Sequence, residues 1–246
     1  MARLLIGAAL LPSSVLAVWA AALAVSGLAT QSKAAWPFLL GMGGTAALWF
    51  LMRYAVEHPD GPLGWASAAA RRLYVFGHEM THALAAWSVG AKVLGMSVRD
   101  DGGHVDLSHS NAFIALAPYC VPLYTLLVVA GYRLLLYFKP GAGGRALFLL
   151  LVGLTIAFHL IKTFETIWDR EQPDLPAAGG VVFSLSLILL ANALCVLLLV
   201  KALFPAAVDL GGSLREVALR TRGFWRGAYA FIEPLRHSFV AQLKRP

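Results

Sequence analysis

The chain has 246 residues, 59% of them hydrophobic and 13% charged. A soluble globular domain carries about a quarter charged residues, so this composition excludes one and leaves no room for a large aqueous domain. The net charge of +7 gathers in short connections and the C-terminal tail, which fits a membrane protein with a positive-inside bias and not a nucleic-acid binder.

A spanning helix needs about 20 apolar residues. Six segments answer to that: 4–29, 34–56, 73–90, 112–138, 147–168 and 178–204, the first and fourth long enough to tilt or kink. The expected fold is an all-α polytopic membrane protein with about six transmembrane helices. The first segment is too long for a signal-peptide core of about 7–15 residues and lacks a cleavage motif, so it reads as a span with Pro12 as its kink point. Residues 58–67 follow the second segment, and Pro59, Asp60, Gly61, Pro62 and Gly64 make them a turn-rich connection.

The third segment carries His78-Glu79-Met80-Thr81-His82. Histidines four apart lie on one face of a helix, one turn from each other, so both imidazoles reach a single metal ion. A glutamate beside the first histidine can act as general base toward the water such a metal activates. The pattern is short and also occurs in proteins that bind no metal. Here it sits between Leu73-Tyr74-Val75-Phe76-Gly77 and Ala83-Leu84-Ala85-Ala86-Trp87. Ionisable residues in apolar segments are costly, and three within five positions point to function and not packing.

Val93–Val98 has strand character, Asp100-Asp101-Gly102-Gly103 supplies a turn, and residues 104–107 pair back, so a short β-hairpin is expected after this helix. An extended substrate could add to its edge as a further strand. Lys139-Pro140-Gly141-Ala142-Gly143-Gly144-Arg145 is a plain loop between the fourth and fifth segments. Cys120 and Cys195 lie in apolar runs and read as small buried hydrophobes, not as a disulfide or thiolate site.

Catalytic zinc takes three protein ligands and leaves a fourth position for water. The residues that could join His78 and His82 are His159 in the fifth segment, Asp174 before the sixth, and His104 and His109 in or near the hairpin. His82 and His159 each lie some ten residues before the ends of their helices, which gives them a common depth. Asp174 requires its segment to re-enter the membrane, for which Pro173, Pro176 and Gly179-Gly180 provide the breaks. The bland role for an Asp in that place is a helix N-cap. Asn111, Tyr119 and Asn192 are the polar residues that could serve as oxyanion donors.

After the last segment, Gly211-Gly212 breaks the chain and Ser213-Leu214-Arg215-Glu216 fits a capping box. This divides the chain into a membrane-embedded part, 1–210, and a tail, 211–246. The tail holds seven Lys or Arg and is rich in aromatics, including Phe224, Trp225 and Tyr229, the makings of a helix lying on an anionic bilayer surface. With six spans, Arg3, Arg53, Arg71, Arg72, Lys139, Arg145 and the tail share one side. Lys33, Lys92, Arg99 and Arg170 fall on the other. That places both termini in the cytoplasm, and the membrane is expected to be the cell's inner (plasma) membrane.

The HExxH in an apolar helix, the hairpin after it, and Ala117-Pro118-Tyr119-Cys120-Val121-Pro122 in the next span together resemble the site-2 protease class of intramembrane zinc metalloproteases. The resemblance covers roughly residues 73–200. It implies a Zn2+ cofactor, a membrane-protein substrate and endopeptidase activity. It also implies a third ligand that is an aspartate at a later membrane-entry segment, in a Leu-Asp-Gly motif; the nearest counterpart here is Asp174, followed by Leu175. The expected metal set is therefore His78, His82 and Asp174, with His159 as the alternate third ligand and Glu79 as the catalytic base. The competing expectation is a non-catalytic membrane protein: a metal carrier, an assembly factor, or a pseudo-protease that binds transmembrane segments without cutting them.

Overall fold

The computed structural model describes residues 1–57, 64–99, 102–169 and 172–243. Their elements are α1 (Ala2–Gln31), α2 (Trp36–Glu57), α3 (Gly64–Ser88), β1 (Val93–Val98), β2 (Gly103–Leu107), α4 (Ala112–Cys120), α5 (Leu123–Phe138), α6 (Arg145–Asp169), α7 (Asp174–Ala178), α8 (Val181–Leu203) and α9 (Leu210–Leu243). The protein is mostly helical with one two-stranded antiparallel sheet, β1 beside β2. The expected hairpin is present; its turn residues Asp100 and Asp101 lie outside the described residues, as do residues 58–63 of the preceding connection, Arg170, Lys244 and Arg245.

Two helix pairs form the scaffold. In the first, α1 runs along α8. Ser14 Oγ donates to the Ser186 carbonyl at 2.8 Å, and Ser186 Oγ donates to the Gly7 carbonyl at 2.9 Å. Small hydroxyls that bond across helices suit a packing surface without water. In the second, α2 crosses α6 at backbone contact. A Cβ on Gly41 would strike the Leu150 carbonyl, and one on Gly153 would strike that of Phe38, so only glycine permits this approach. Phe38, Leu149, Val152, Ile156, Leu197 and Val200 are buried where the pairs meet. Outside, Leu4, Leu5, Leu23, Leu40, Phe50 and Leu198 are exposed, an apolar exterior that fits lipid as the solvent.

Among the described residues, four helices are long and apolar enough to cross a membrane: α1, α2, α6 and α8; a fifth span results if α4 and α5 are taken together. The expected six are not confirmed. The segment 73–90 is part of α3, whose first turns carry Ser67, Arg71 and Arg72. Its HExxH residues dilute the apolar run, and Glu79 and Thr81 are buried in protein. The segment 112–138 is not one helix. Pro122 cannot donate a backbone N–H, and it drives Val121 to extended angles (φ −106, ψ 110). The two halves meet at 69°.

Helix direction changes the membrane arrangement as well. Arg3 bonds the Ala178 carbonyl, Gly7 abuts Phe183, and Ala17, Ala21 and Leu28 share a cluster with Ala193, Leu197 and Phe204. α1 and α8 thus run parallel, so their starts lie at one end of the bundle and their ends at the other, an arrangement that suits an odd count such as five. The N terminus and the end of α8 lie at opposite ends of the bundle. By connectivity Arg3, Arg53, Arg71 and Arg72 now fall on one face, and Lys33, Lys139, Arg145 and Lys201 on the other. Lys92 and Arg99 join the first face, and Arg215, Arg220, Arg222 and Arg226 of the tail join the second, so the excess of positive charge now follows the end of α8 and not the N terminus.

α9 begins at Leu210, three residues before the expected cap. Asp209 Oδ1 accepts the Gly212 N–H at 2.9 Å, so Asp209 is the capping residue, and Ser213 donates to its carbonyl. The first turns of α9 lie against α1: Val217 packs on the core and the Arg220 guanidinium is 4.9 Å from the centre of the Trp19 ring.

Candidate metal centre

α3 ends in a Schellman motif, with Gly90 at φ 77 and the Ala91 N–H on the Ala86 carbonyl at 2.9 Å. That turn sends the chain back along α3 as the hairpin. Gly103, the first residue of β2, comes to rest on the face of α3 that carries Glu79. A Cβ there would lie 2.7 Å from Glu79 Cγ and 2.9 Å from Glu79 Oε1. The hairpin backbone therefore covers the buried Glu79 side chain directly.

His78 and His82 project from one face of α3 with ring centroids 5.0 Å apart. Asp174 opens α7. Its Oδ2 lies 3.8 Å from His78 Nε2 and 3.6 Å from His82 Nε2. One ligand atom from each residue fits within a sphere of mutual distances up to 4.8 Å. A tetrahedral zinc with bonds of about 2.0–2.1 Å holds its ligand atoms about 3.4 Å apart, so the set fits that ion. Hydrogen bonding supports the fit. His82 Nδ1 lies 2.9 Å from the Ile114 carbonyl, which can only accept. With its proton there, a neutral His82 turns the Nε2 lone pair toward Asp174 Oδ2. Two acceptors then face each other, an arrangement that a cation or a second ring proton resolves.

A ring of neighbours holds these groups. Tyr119, fully buried, stands edge-on to His78 at 5.0 Å. Its hydroxyl is 2.9 Å from both Asp174 Oδ2 and Gln172 Oε1, and its single proton goes to the charged acceptor. His78 Nδ1 lies 3.4 Å from the Tyr74 hydroxyl. Asn192 Nδ2 donates to the carbonyls of Tyr119 (2.7 Å) and Ile188 (2.9 Å), leaving Oδ1 to accept from His159 Nε2 at 3.0 Å.

The structure thus brings His78, His82, Glu79 and Asp174 together. It places His159 one layer back, engaged by Asn192. Asp174 caps nothing; the N-cap position of α7 belongs to Pro173, with no side-chain cap bond. His104 lies on the hairpin, 3.9 Å from Asp106, and His109 is beside Ser108. Of the residues considered as oxyanion donors, Asn111 caps α4 by accepting the Ile114 N–H, Asn192 spends its amide on two carbonyls, and Tyr119 serves Asp174. The parts that sequence reasoning missed are Gln172, the Ile114 carbonyl and Gly103. Only Gly103 left a signal, a second glycine after the turn with no need of its own for positive φ.

A cavity of about 630 Å3 reaches this centre between α2, α3, α6 and the start of β2, with His78, Glu79 and Gly103 in its wall. The space between α3, α5 and α6 is small by comparison. That space holds only about 20 Å3. Tyr124 fills it, lying on Gly77 and donating to the Leu73 carbonyl at 2.5 Å. No protein-family model, curated protein or solved structure matches the chain.

Proposed function

We propose that the protein is a zinc-dependent endopeptidase that works within the membrane and cuts a membrane-spanning protein. One observation carries this reading. His78, His82 and Asp174, from two elements far apart in sequence, converge within ligand distance, and a large cavity opens onto His78 and Glu79. Zinc held by the three would supply a Lewis acid for activating water and polarising a carbonyl.

The residues of the chain do the rest. Glu79 takes a proton from the attacking water as the oxygen adds to the scissile carbonyl. It then delivers that proton to the amine nitrogen as the C–N bond breaks. The Ile114 carbonyl and the Tyr119 hydroxyl aim His82 and Asp174, so the site needs no substrate to assemble. The cavity admits water. The hairpin on Glu79 offers an edge to which an unwound substrate segment can add as a strand, beside the base. Helical spans, not a closed β-barrel, favour the inner (plasma) membrane over an outer one. Lipid and the substrate are the expected partners, and zinc the cofactor.

The test is cleavage of single-span substrates in proteoliposomes. Wild-type protein should release products, and Glu79→Gln should release at least about 100-fold less with zinc retained. Equal cleavage by both would overturn the reading. Zinc-loaded wild-type protein that binds the substrates and never cuts them would favour the non-catalytic alternative.

A further inference from the structure

The cavity beside the metal centre holds a charge that hydrolysis itself does not use. Arg71 precedes His78 by seven residues on α3, two turns away on the same face and about 10 Å along the axis. Both line the cavity. Arg71 Nε is shut off from solvent and has no hydrogen-bond partner among the described residues. Its cationic neighbours are occupied. Lys162 Nζ is 2.6 Å from Glu165 Oε2, and the Arg53 guanidinium lies 5.4 Å from the centre of the Trp49 ring. A guanidinium donor kept from both water and protein is costly, and its planar fork matches a carboxylate.

Between Arg71 and His78, α3 contributes Tyr74 and Val75 to the cavity wall, and α6 faces them with Phe158 and with the paired Lys162 and Glu165, Lys162 Nζ lying 5.2 Å from the centre of the Tyr74 ring. An extended peptide rises about 3.3 Å per residue. With its scissile bond at His78 and Glu79, the side chain three residues away reaches Arg71.

We propose that Arg71 forms a carboxylate subsite, so that the protein selects segments carrying Asp or Glu three residues from the bond it cuts. The subsite rests on the endopeptidase reading for its role, and its ligand chemistry can be measured without cleavage. A lipid phosphate is the competing occupant. The carboxylate is favoured because the same cavity continues to Glu79, where the peptide has to lie.

The experiment uses full-length Glu79→Gln protein, which holds a peptide without cutting it. The probes are three labelled decapeptides, apolar except for one Glu, Gln or Lys three residues from the centre. Fluorescence anisotropy should show the Glu peptide binding about tenfold more tightly than the Gln peptide. Arg71→Gln should abolish that difference with zinc content unchanged, Arg71→Lys should keep part of it, and Arg71→Glu should favour the Lys peptide. In Glu79-intact protein, Arg71→Gln should raise KM for the Glu peptide and leave kcat in place. Equal binding of all three peptides by the Arg71-intact protein overturns the subsite, as does a preference that survives Arg71→Gln. A co-purifying phospholipid that Arg71→Gln loses, with no peptide preference, overturns it in favour of lipid. Arg71-dependent binding without cleavage by the Glu79-intact protein upholds the subsite and sinks the endopeptidase reading; cleavage without acidic preference does the reverse.

Discussion

His82 is addressed at both ring nitrogens, by the Ile114 carbonyl on one side and Asp174 on the other. A ring so held loses little freedom on taking a metal. His78→Ala or His82→Ala should therefore empty the site and abolish activity together, and stoichiometric zinc in the double variant would place the metal elsewhere. Tyr119→Phe removes only a hydroxyl that orients Asp174. It should weaken zinc binding by about 10–100-fold in a chelator competition, while unchanged affinity would show that Asp174 needs no such support. The histidine pair was legible from the sequence because four-residue spacing is local helix geometry. Tyr119 was visible only as a polar residue in an apolar run. Its partner Asp174 lies on another element, and nothing local to either announces their contact.

At the scale of elements, the hairpin and α3 act as one unit, because Gly103 rests on Glu79. Val98 pairs with Gly103 in the ladder. Val98→Pro removes a backbone donor and disfavours pairing, so turnover should fall several-fold with zinc content unchanged; full activity would argue against a substrate strand on this segment. Gly153→Leu should separate α2 from α6, since a side chain there meets the Phe38 carbonyl. We expect a loss of at least about 3 kcal/mol, at the upper end for overpacked cores, read as a lower unfolding midpoint in detergent. The hairpin was readable from strand propensity and turn residues. The length of 112–138 allowed for a tilt or kink, but the full break into α4 and α5 at Pro122 was not readable, because apolar runs carry hydropathy across a bend without interruption. The start of α9 was misplaced for a related reason: Ser213 and Glu216 matched a capping pattern, but Asp209 stood nearer the turn and took the role.

For the whole molecule, the parallel α1 and α8 suit five spans and predict opposite faces for the N terminus and the end of α8. Single cysteines at Ala2, Lys33 and Ala206, in a background with Cys120 and Cys195 changed to Ala, test this with a membrane-impermeant label. Lys33→Cys and Ala206→Cys should label from the same side, and Ala2→Cys from the other. Labelling of Ala2→Cys and Ala206→Cys from one side would restore an even count. Composition was enough to establish a helical membrane protein. The count of six is not confirmed at α3, because the residues that make it interesting are the ones that lower its hydropathy. Such a helix is apolar enough to suggest a span and polar enough to need protein around it.

Zinc content of purified wild-type, Asp174→Ala and His159→Ala protein, measured by elemental mass spectrometry, bears most directly on the central claim that His78, His82 and Asp174 form the metal centre. Wild-type and His159→Ala protein should each carry one zinc per chain, and Asp174→Ala should carry little or none. An empty His159→Ala protein beside a loaded Asp174→Ala protein would contradict the account.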